Sequence, residues 1–156
     1  VLDFGCGSGV LAIAALLLGA KNCYATDIDP QALQASDSNG RENSVIDKLN
    51  IGPPEDVPRQ KYDMVLANIL AGPLLALAPT LASYCAVDGE IVLSGILENQ
   101  AQSVLKAYQP WFDLDAPSVD EEWVRITGKK ISALILWLNN PLRPAAYSRI
   151  YFFIKI

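Results

Sequence analysis

The sequence predicts an α/β protein built on a mostly parallel, doubly wound sheet. Three observations carry this. Short apolar strand-like runs alternate with helical patterns along the first 130 residues, the signature of strands covered by crossover helices. A glycine-rich loop, Gly5–Gly9, joins the first run to the first helix. The chain has 156 residues, 51% hydrophobic and 19% charged, enough apolar material for one domain with a single buried core.

Taken in order, Val1–Phe4 reads as the end of a buried strand. Val10–Leu18 is an alanine- and leucine-rich helix with Gly19 as its C-terminal stop. Asn22–Thr26 is a second strand. Asp29-Pro30 then opens a helix running to about Asn43, with Asp29 as N-cap and Pro30 at the first helical position. A short strand is expected at Leu49–Ile51, a further strand at Tyr62–Ala67, and a helix at Pro73–Tyr84. Asp88-Gly89 reads as a turn before a strand at Glu90–Leu93, and Glu98–Tyr108 as a helix. Phe112–Ser118 and Glu122–Gly128 read as two closing strands. With no helix between them they should pair antiparallel, at one edge of the sheet.

Residues 131–156 differ. ISALILWL and IYFFIKI are apolar, and the segment holds three basic residues (Arg143, Arg149, Lys155) and no acidic one. The composition shift predicts a boundary near Lys130. Residues 1–130 are expected to form the domain, and the tail to stand outside the fold. The chain begins at Val1, inside a strand-like run, so a truncated start is expected.

Composition also excludes some chemistry. There is no histidine, which removes Ser-His and Cys-His nucleophilic triads and histidine metal sites. Cys6, Cys23 and Cys85 form no CxxC pair, so neither a zinc site nor a disulfide framework is expected, and a reducing cytoplasm fits. The net charge of −5 argues against a nucleic-acid-binding face. No apolar run reaches the length of a membrane span.

Asp3-Phe4-Gly5-Cys6-Gly7-Ser8-Gly9 carries most of the functional information. Glycines let a backbone turn sharply and approach a ligand, and the following helix aims unpaired amides at the loop. A dinucleotide fingerprint needs a small residue three positions after its second glycine, where this chain has Val10. Asp3, two residues before the first glycine, would repel a pyrophosphate. It suits S-adenosylmethionine (SAM), which carries an ammonium and a sulfonium. Asp27, at the end of the second strand, is placed to take both hydrogen bonds of a ribose diol. Ile28 beside it can lie flat against adenine. Cys6 reads as a small loop residue, and Tyr62, Tyr84, Trp111 and Trp123 read as packing residues.

These stretches resemble class I SAM-dependent methyltransferases. VLDFGCGSGVLAIAALLLGA followed by ATDIDPQAL, with DMVLANILAGPL, GEIVLSGIL and EEWVRITGKK, resembles the PrmA family more specifically, over about residues 1–130. That family methylates the eleventh protein of the large ribosomal subunit. The resemblance implies a Rossmann-like, seven-stranded sheet with an antiparallel last strand. It also implies transfer of methyl groups to α- and ε-amino groups of a basic ribosomal protein, by a cytoplasmic monomer. By the same resemblance, Asp3, Gly5, Gly7, Gly9 and Asp27 hold the cofactor. Asn68, Ile69 and Leu70 lie near the transferred methyl, and Glu55 or Asp56 reaches adenine.

Two departures stand beside it. The family's N-terminal recognition domain and the loop before its first strand have no counterpart in this chain. The segment beyond Lys130 matches nothing in the family, and a frame-shift or read-through origin is expected for it, against a genuine extension. Asn68 is the candidate catalytic residue: its side-chain carbonyl can accept a hydrogen bond from the amine and aim the lone pair. Competing readings are a related lysine methyltransferase of a flavoprotein subunit, a nicotinamide-binding module, and an inactive fragment.

Overall fold

The computed structural model describes residues 1–132. Twelve elements follow one another: β1 (Leu2–Phe4), α1 (Val10–Leu17), β2 (Cys23–Thr26), α2 (Pro30–Glu42), β3 (Leu49–Gly52), β4 (Tyr62–Asn68), α3 (Ala71–Tyr84), β5 (Cys85–Leu97), α4 (Glu98–Tyr108), β6 (Phe112–Leu114), β7 (Ser118–Asp120) and β8 (Trp123–Lys130). The tail expected over residues 131–156 falls almost wholly outside the described residues. Ile131 lies within them and donates its amide to the Trp111 carbonyl at 3.0 Å.

The strands form one sheet in the order β3-β2-β1-β4-β5-β8-β6, with β7 paired to β8. β1 to β5 are parallel, and β8 runs antiparallel to both β5 and β6. The antiparallel last strand is as expected, inserted between β5 and the edge strand β6. The sheet has one strand more than expected because Phe112–Ser118 is divided. Pro117 in that stretch has no amide to give to a ladder, so bonding to β8 ends with the Asp115 amide on the Thr127 carbonyl, at 2.9 Å, and pairing resumes at Ser118.

Strand β5 is longer than the expected Glu90–Leu93. Asp88, at φ 62°, does turn the chain, but as a kink inside the strand. The ladder with β4 jumps there from Tyr62↔Cys85 to Met64↔Glu90. A second irregularity at Gly95 (φ 78°) shifts the ladder with β8 between Leu93↔Ile126 and Ile96↔Val124. Both are bulge-like devices that bend a strand without ending it.

Helix ends follow the local chemistry. The Asp29 side chain accepts from the Gln31 amide at 2.9 Å, with Pro30 at the first helical position. After α1 the Gly19 amide bonds to Leu16 and the Ala20 amide to Ala15, with Gly19 at φ 107°, which is a Schellman stop. Two separate apolar clusters lie on the two faces of the sheet. One joins α1 to β2 and β3 through Ala12, Ile13, Leu16, Cys23, Ala25 and Leu49. The other joins α3 and α4 to β1, β4, β5 and β8, centred on Leu74, Leu81, Ile91, Leu93 and Tyr108.

Candidate functional site

The strand order reverses at β1: the chain moves outward through β2 and β3 on one side of it and returns to β4 on the other. In open α/β sheets a crevice forms beyond the carboxyl ends of the strands at such a switch point. The loop after β1 and the loop after β4 meet there. A Cβ on Gly5 would come within 2.2 Å of the Ile69 Cγ2, so only glycine lets the two loops close on each other.

Every glycine of the loop has a positive φ: Gly5 81°, Gly7 54°, Gly9 79°. Their surroundings differ. A Cβ on Gly7 would meet nothing within 4 Å, so this part of the loop faces open space. A Cβ on Gly9 would meet Ser36 of α2, Oγ at 2.9 Å and Cα at 3.2 Å. Gly9 thus serves the close approach of α2, on the side away from the open face. The Thr26 carbonyl accepts from the Gly5 and Cys6 amides at 2.8 and 3.0 Å, tying the loop to the end of β2.

The two acids sit on either side of this loop. Asp3 is fully buried, and its Oδ2 accepts from the Ala12 amide in the first turn of α1 at 3.0 Å. Its Oδ1 is buried without a donor. Burial, eased by the Ala12 bond and aggravated by the nearby Asp27 charge, pushes the Asp3 carboxyl up to about 6. Asp27 is half-buried. Its Oδ2 accepts from the Gly7 amide at 2.9 Å and its Oδ1 from the Asp29 amide at 3.0 Å. Each oxygen keeps a second lone pair for a ligand hydroxyl. Ile28, 86% exposed, stands next to it as an uncovered apolar side chain.

The residue set fits a ligand with one cationic end, one diol and one flat apolar ring. The orphaned Asp3 oxygen calls for a donor or a positive charge, since a buried unpaired carboxylate is costly. Asp27 offers two acceptor oxygens and Ile28 an exposed apolar surface. Glu55 and Asp56 are exposed, on a single 3-10 turn (Pro54–Asp56) just past β3.

Asn68 ends β4, paired with Ser94 of β5, and is exposed. With Ile69, Leu70, Ser94, Gly95 and Trp123 it lines an open cleft of about 480 Å³. A Cβ on Gly95 would meet the Ile69 carbonyl oxygen at 2.6 Å, so glycine is required for this wall as well. Trp123 was expected to pack in the core or at an edge. It is 45% exposed and faces this cleft, because β8 begins at the sheet's carboxyl edge. A larger cavity, about 660 Å³, opens near Val1, Tyr24, Lys61 and Tyr62 at the opposite end of the strands, away from the loop and both acids.

Cys6 is buried with its Sγ 3.4 Å from the Ser36 Oγ. Burial pushes its thiol up to about 11, so it is not a thiolate nucleophile. Sequence reasoning missed Ser36 and Asn39 of α2. Ser36 Oγ donates to the Gly7 carbonyl at 3.0 Å, and Asn39 Nδ2 to the Ser8 carbonyl at 2.9 Å. A readable signal was present: Ser36, Ser38, Asn39 and Gly40 are poor helix formers inside a helix.

The chain is similar in sequence and fold to known proteins. The model of the ribosomal protein L11 methyltransferase (PrmA) family matches residues 1–131. The ribosomal protein L11 methyltransferase of Chromohalobacter salexigens is 57% identical over 131 residues, and that of Colwellia psychrerythraea 53% over 130. Each alignment covers 83% of this chain and 44% of the relative, so the chain spans under half the length of these proteins. The crystal structure of the ribosomal protein L11 methylase of Lactobacillus delbrueckii subsp. bulgaricus superposes with a TM-score of 0.77 at 34% identity, over 84% of this chain and 69% of that one. An RNA methyltransferase of Salinibacter ruber, in complex with S-adenosyl-L-homocysteine, shares the fold at a TM-score of 0.67 and 17% identity, over 84% and 80% of the two chains.

Proposed function

Since the chain belongs to the ribosomal protein L11 methyltransferase (PrmA) family, we propose that it is the cofactor-binding catalytic unit, residues 1–130, of a SAM-dependent protein methyltransferase. The observation that carries this reading is the switch-point crevice, which pairs an orphaned buried carboxylate (Asp3) with a strand-end carboxylate beside an exposed apolar residue (Asp27, Ile28). SAM, when bound, supplies a methyl group already activated on a sulfonium. Asp3 holds the cationic amino-acid end. Gly5 and Gly7 let the backbone lie against it, and Gly9 brings α2 up behind the loop. Asp27 takes the ribose hydroxyls, Ile28 covers adenine, and Glu55 or Asp56 reaches its edge.

The acceptor is an amino group, N-terminal or lysine, of ribosomal protein L11. A lysine amine, with an ordinary pKa of about 10.4, must be neutral to attack. The sequence has no histidine to act as base, so the chain works mainly by alignment. Asn68 orients the amine through its side-chain carbonyl, in the cleft beside the loop. A net charge of −5 suits a basic partner protein and disfavours direct nucleic-acid binding. A cytoplasmic monomer completes the reading. The named relatives favour this substrate over a flavoprotein subunit.

Two measurements test the proposal. SAM should bind to the chain, and NAD should not displace it. Displacement by NAD would favour a dinucleotide module instead. For catalysis, Asn68→Ala is made in a chimera carrying the amino-terminal half of the Chromohalobacter salexigens relative. Single-turnover methylation of L11 should fall by roughly 10- to 1000-fold, as when an aligning hydrogen bond is lost. SAM affinity should change little. A preserved rate would reduce Asn68 to a strand-end residue without a part in transfer.

A further inference from the structure

The support under the glycine loop comes from a helix that carries none of the expected cofactor contacts. We propose that Ser36 of α2 is a positioning residue: by holding the Gly7 carbonyl, it turns the Ser8 amide toward the open face of the loop, where that amide receives the carboxylate end of the cofactor. The inference rests on the SAM reading above and deepens it.

Ser36 is fully buried, and its Oγ lies 3.0 Å from the Gly7 carbonyl oxygen. Gly7 C=O and Ser8 N–H belong to the same peptide unit, and none of the described residues has a cis peptide bond. In a planar trans peptide these groups point in opposite directions. A carbonyl fixed toward α2 therefore sends the Ser8 N–H away from α2. The loop is open there: Ser8 is exposed, and a Cβ on the adjoining Gly7 would meet nothing within 4 Å. The neighbouring units are pinned as well: the Gly7 amide by Asp27 at 2.9 Å, the Ser8 carbonyl by Asn39 at 2.9 Å, and the Gly9 amide by the Cys6 carbonyl at 2.8 Å.

The close approach of α2 is built into the sequence at two glycines. Gly9 leaves room for the Ser36 side chain and backbone, and Gly40 lets α2 lie against Leu49 of β3, where a Cβ would come within 2.8 Å of the leucine Cδ2. Ser36 also touches the Cys6 Sγ at 3.4 Å, so its hydroxyl meets two residues of the loop. Without that hydroxyl the Gly7 carbonyl loses its buried donor. Gly7, on one side of that peptide unit, has φ 54° and a glycine's backbone freedom, so the unit can then rotate.

The ligand chemistry distinguishes this role from general support. S-Adenosylhomocysteine has the amino-acid end, and 5′-methylthioadenosine lacks it while keeping the ribose and adenine. Calorimetry on the chain should show Ser36→Ala binding S-adenosylhomocysteine about fivefold to tenfold more weakly, as for one lost hydrogen bond. Its affinity for methylthioadenosine should stay within about twofold of the parent. Asp27→Ala, by contrast, should weaken both ligands, because it acts at the ribose. Ser36→Cys keeps the shape with a weaker donor and reads the same difference if the alanine variant does not fold. Equal weakening of both ligands by Ser36→Ala, or no weakening of either, overturns the positioning role and leaves the SAM reading intact. Failure of the unmodified chain to bind S-adenosylhomocysteine overturns that reading and this inference together.

Discussion

The layer over β2 and β3 and the layer over β5 and β8 bury different kinds of side chain. Under α1 and α2 the cluster is limited, with Ala12, Cys6, Cys23 and Ala25 beside Ile13, Leu16, Val45 and Leu49, and with the polar Asp3 and Ser36 buried next to it. Under α3 and α4 the side chains are large and apolar: Leu74, Leu81, Ile91, Leu93, Ile96, Val104 and Phe112, all nearly or fully inaccessible. The phenol of Tyr108, fully buried there, donates to the Leu74 carbonyl at 2.9 Å. The thin layer holds a strained loop and an orphaned carboxylate oxygen. The thick layer supplies the apolar burial that lets such features persist. Most of the apolar burial thus lies on one face of the sheet, and the buried Asp3 and Ser36 beside the loop lie on the other.

That separation can be broken by mutation, beginning with the thick layer. Leu81→Ala removes a fully buried side chain between α3 and the sheet. It should cost about 3–5 kcal/mol in urea unfolding and leave SAM affinity near that of the parent. A large loss of affinity would mean that the two faces are coupled. On the thin side, Asp27→Ala should weaken SAM by about 1.5–3 kcal/mol, measured by calorimetry. The mutation also frees the Gly7 and Asp29 amides, so some of the loss is loop order.

Asp3 sharpens the contrast because it sets binding against stability. Its folded carboxyl, at about 6, lies above its unfolded value near 3.8, so the folded chain holds the proton more tightly. Its contribution is therefore present below about pH 4 and lost as pH rises to about 6. Asp3→Asn keeps an acceptor for the Ala12 amide and removes the buried charge. It should stabilise the ligand-free chain by about 2 kcal/mol at pH 7.5, with the gain vanishing near pH 4, while SAM binding collapses. Thermal unfolding at the two pH values reads the first effect. Equal melting shifts at both would show that Asp3 is not a charge-strained site. The smallest effect is expected from Tyr108→Phe, about 1 kcal/mol of stability for the lost bond to Leu74, with unchanged SAM affinity.

The alternation of strands and helices, the Asp29-Pro30 helix start, the Gly19 stop and the antiparallel final strand were all legible in the sequence. Each depends on local periodicity or on a residue's own backbone preference. Asp3, the loop glycines, Asp27 and Asn68 were legible as candidates for the same reason: their types and spacing are local. What they touch was not. The bulges that lengthen β5, the break at Pro117 within the closing strands and the exposure of Trp123 depend on ladder register, which is set by neighbours far away in the chain.

The same holds for Gly9 facing Ser36, Gly5 facing Ile69, and the Ser36 hydroxyl beneath the Gly7 carbonyl. Ser36 lies 29 residues from Gly7 and Ile69 further still from Gly5, and nothing in the spacing of these residues marks them as neighbours. Local sequence determined which groups stand at the carboxyl edge of the sheet. Only the packing of α2 and of the post-β4 loop against the glycine turn decided how those groups are held.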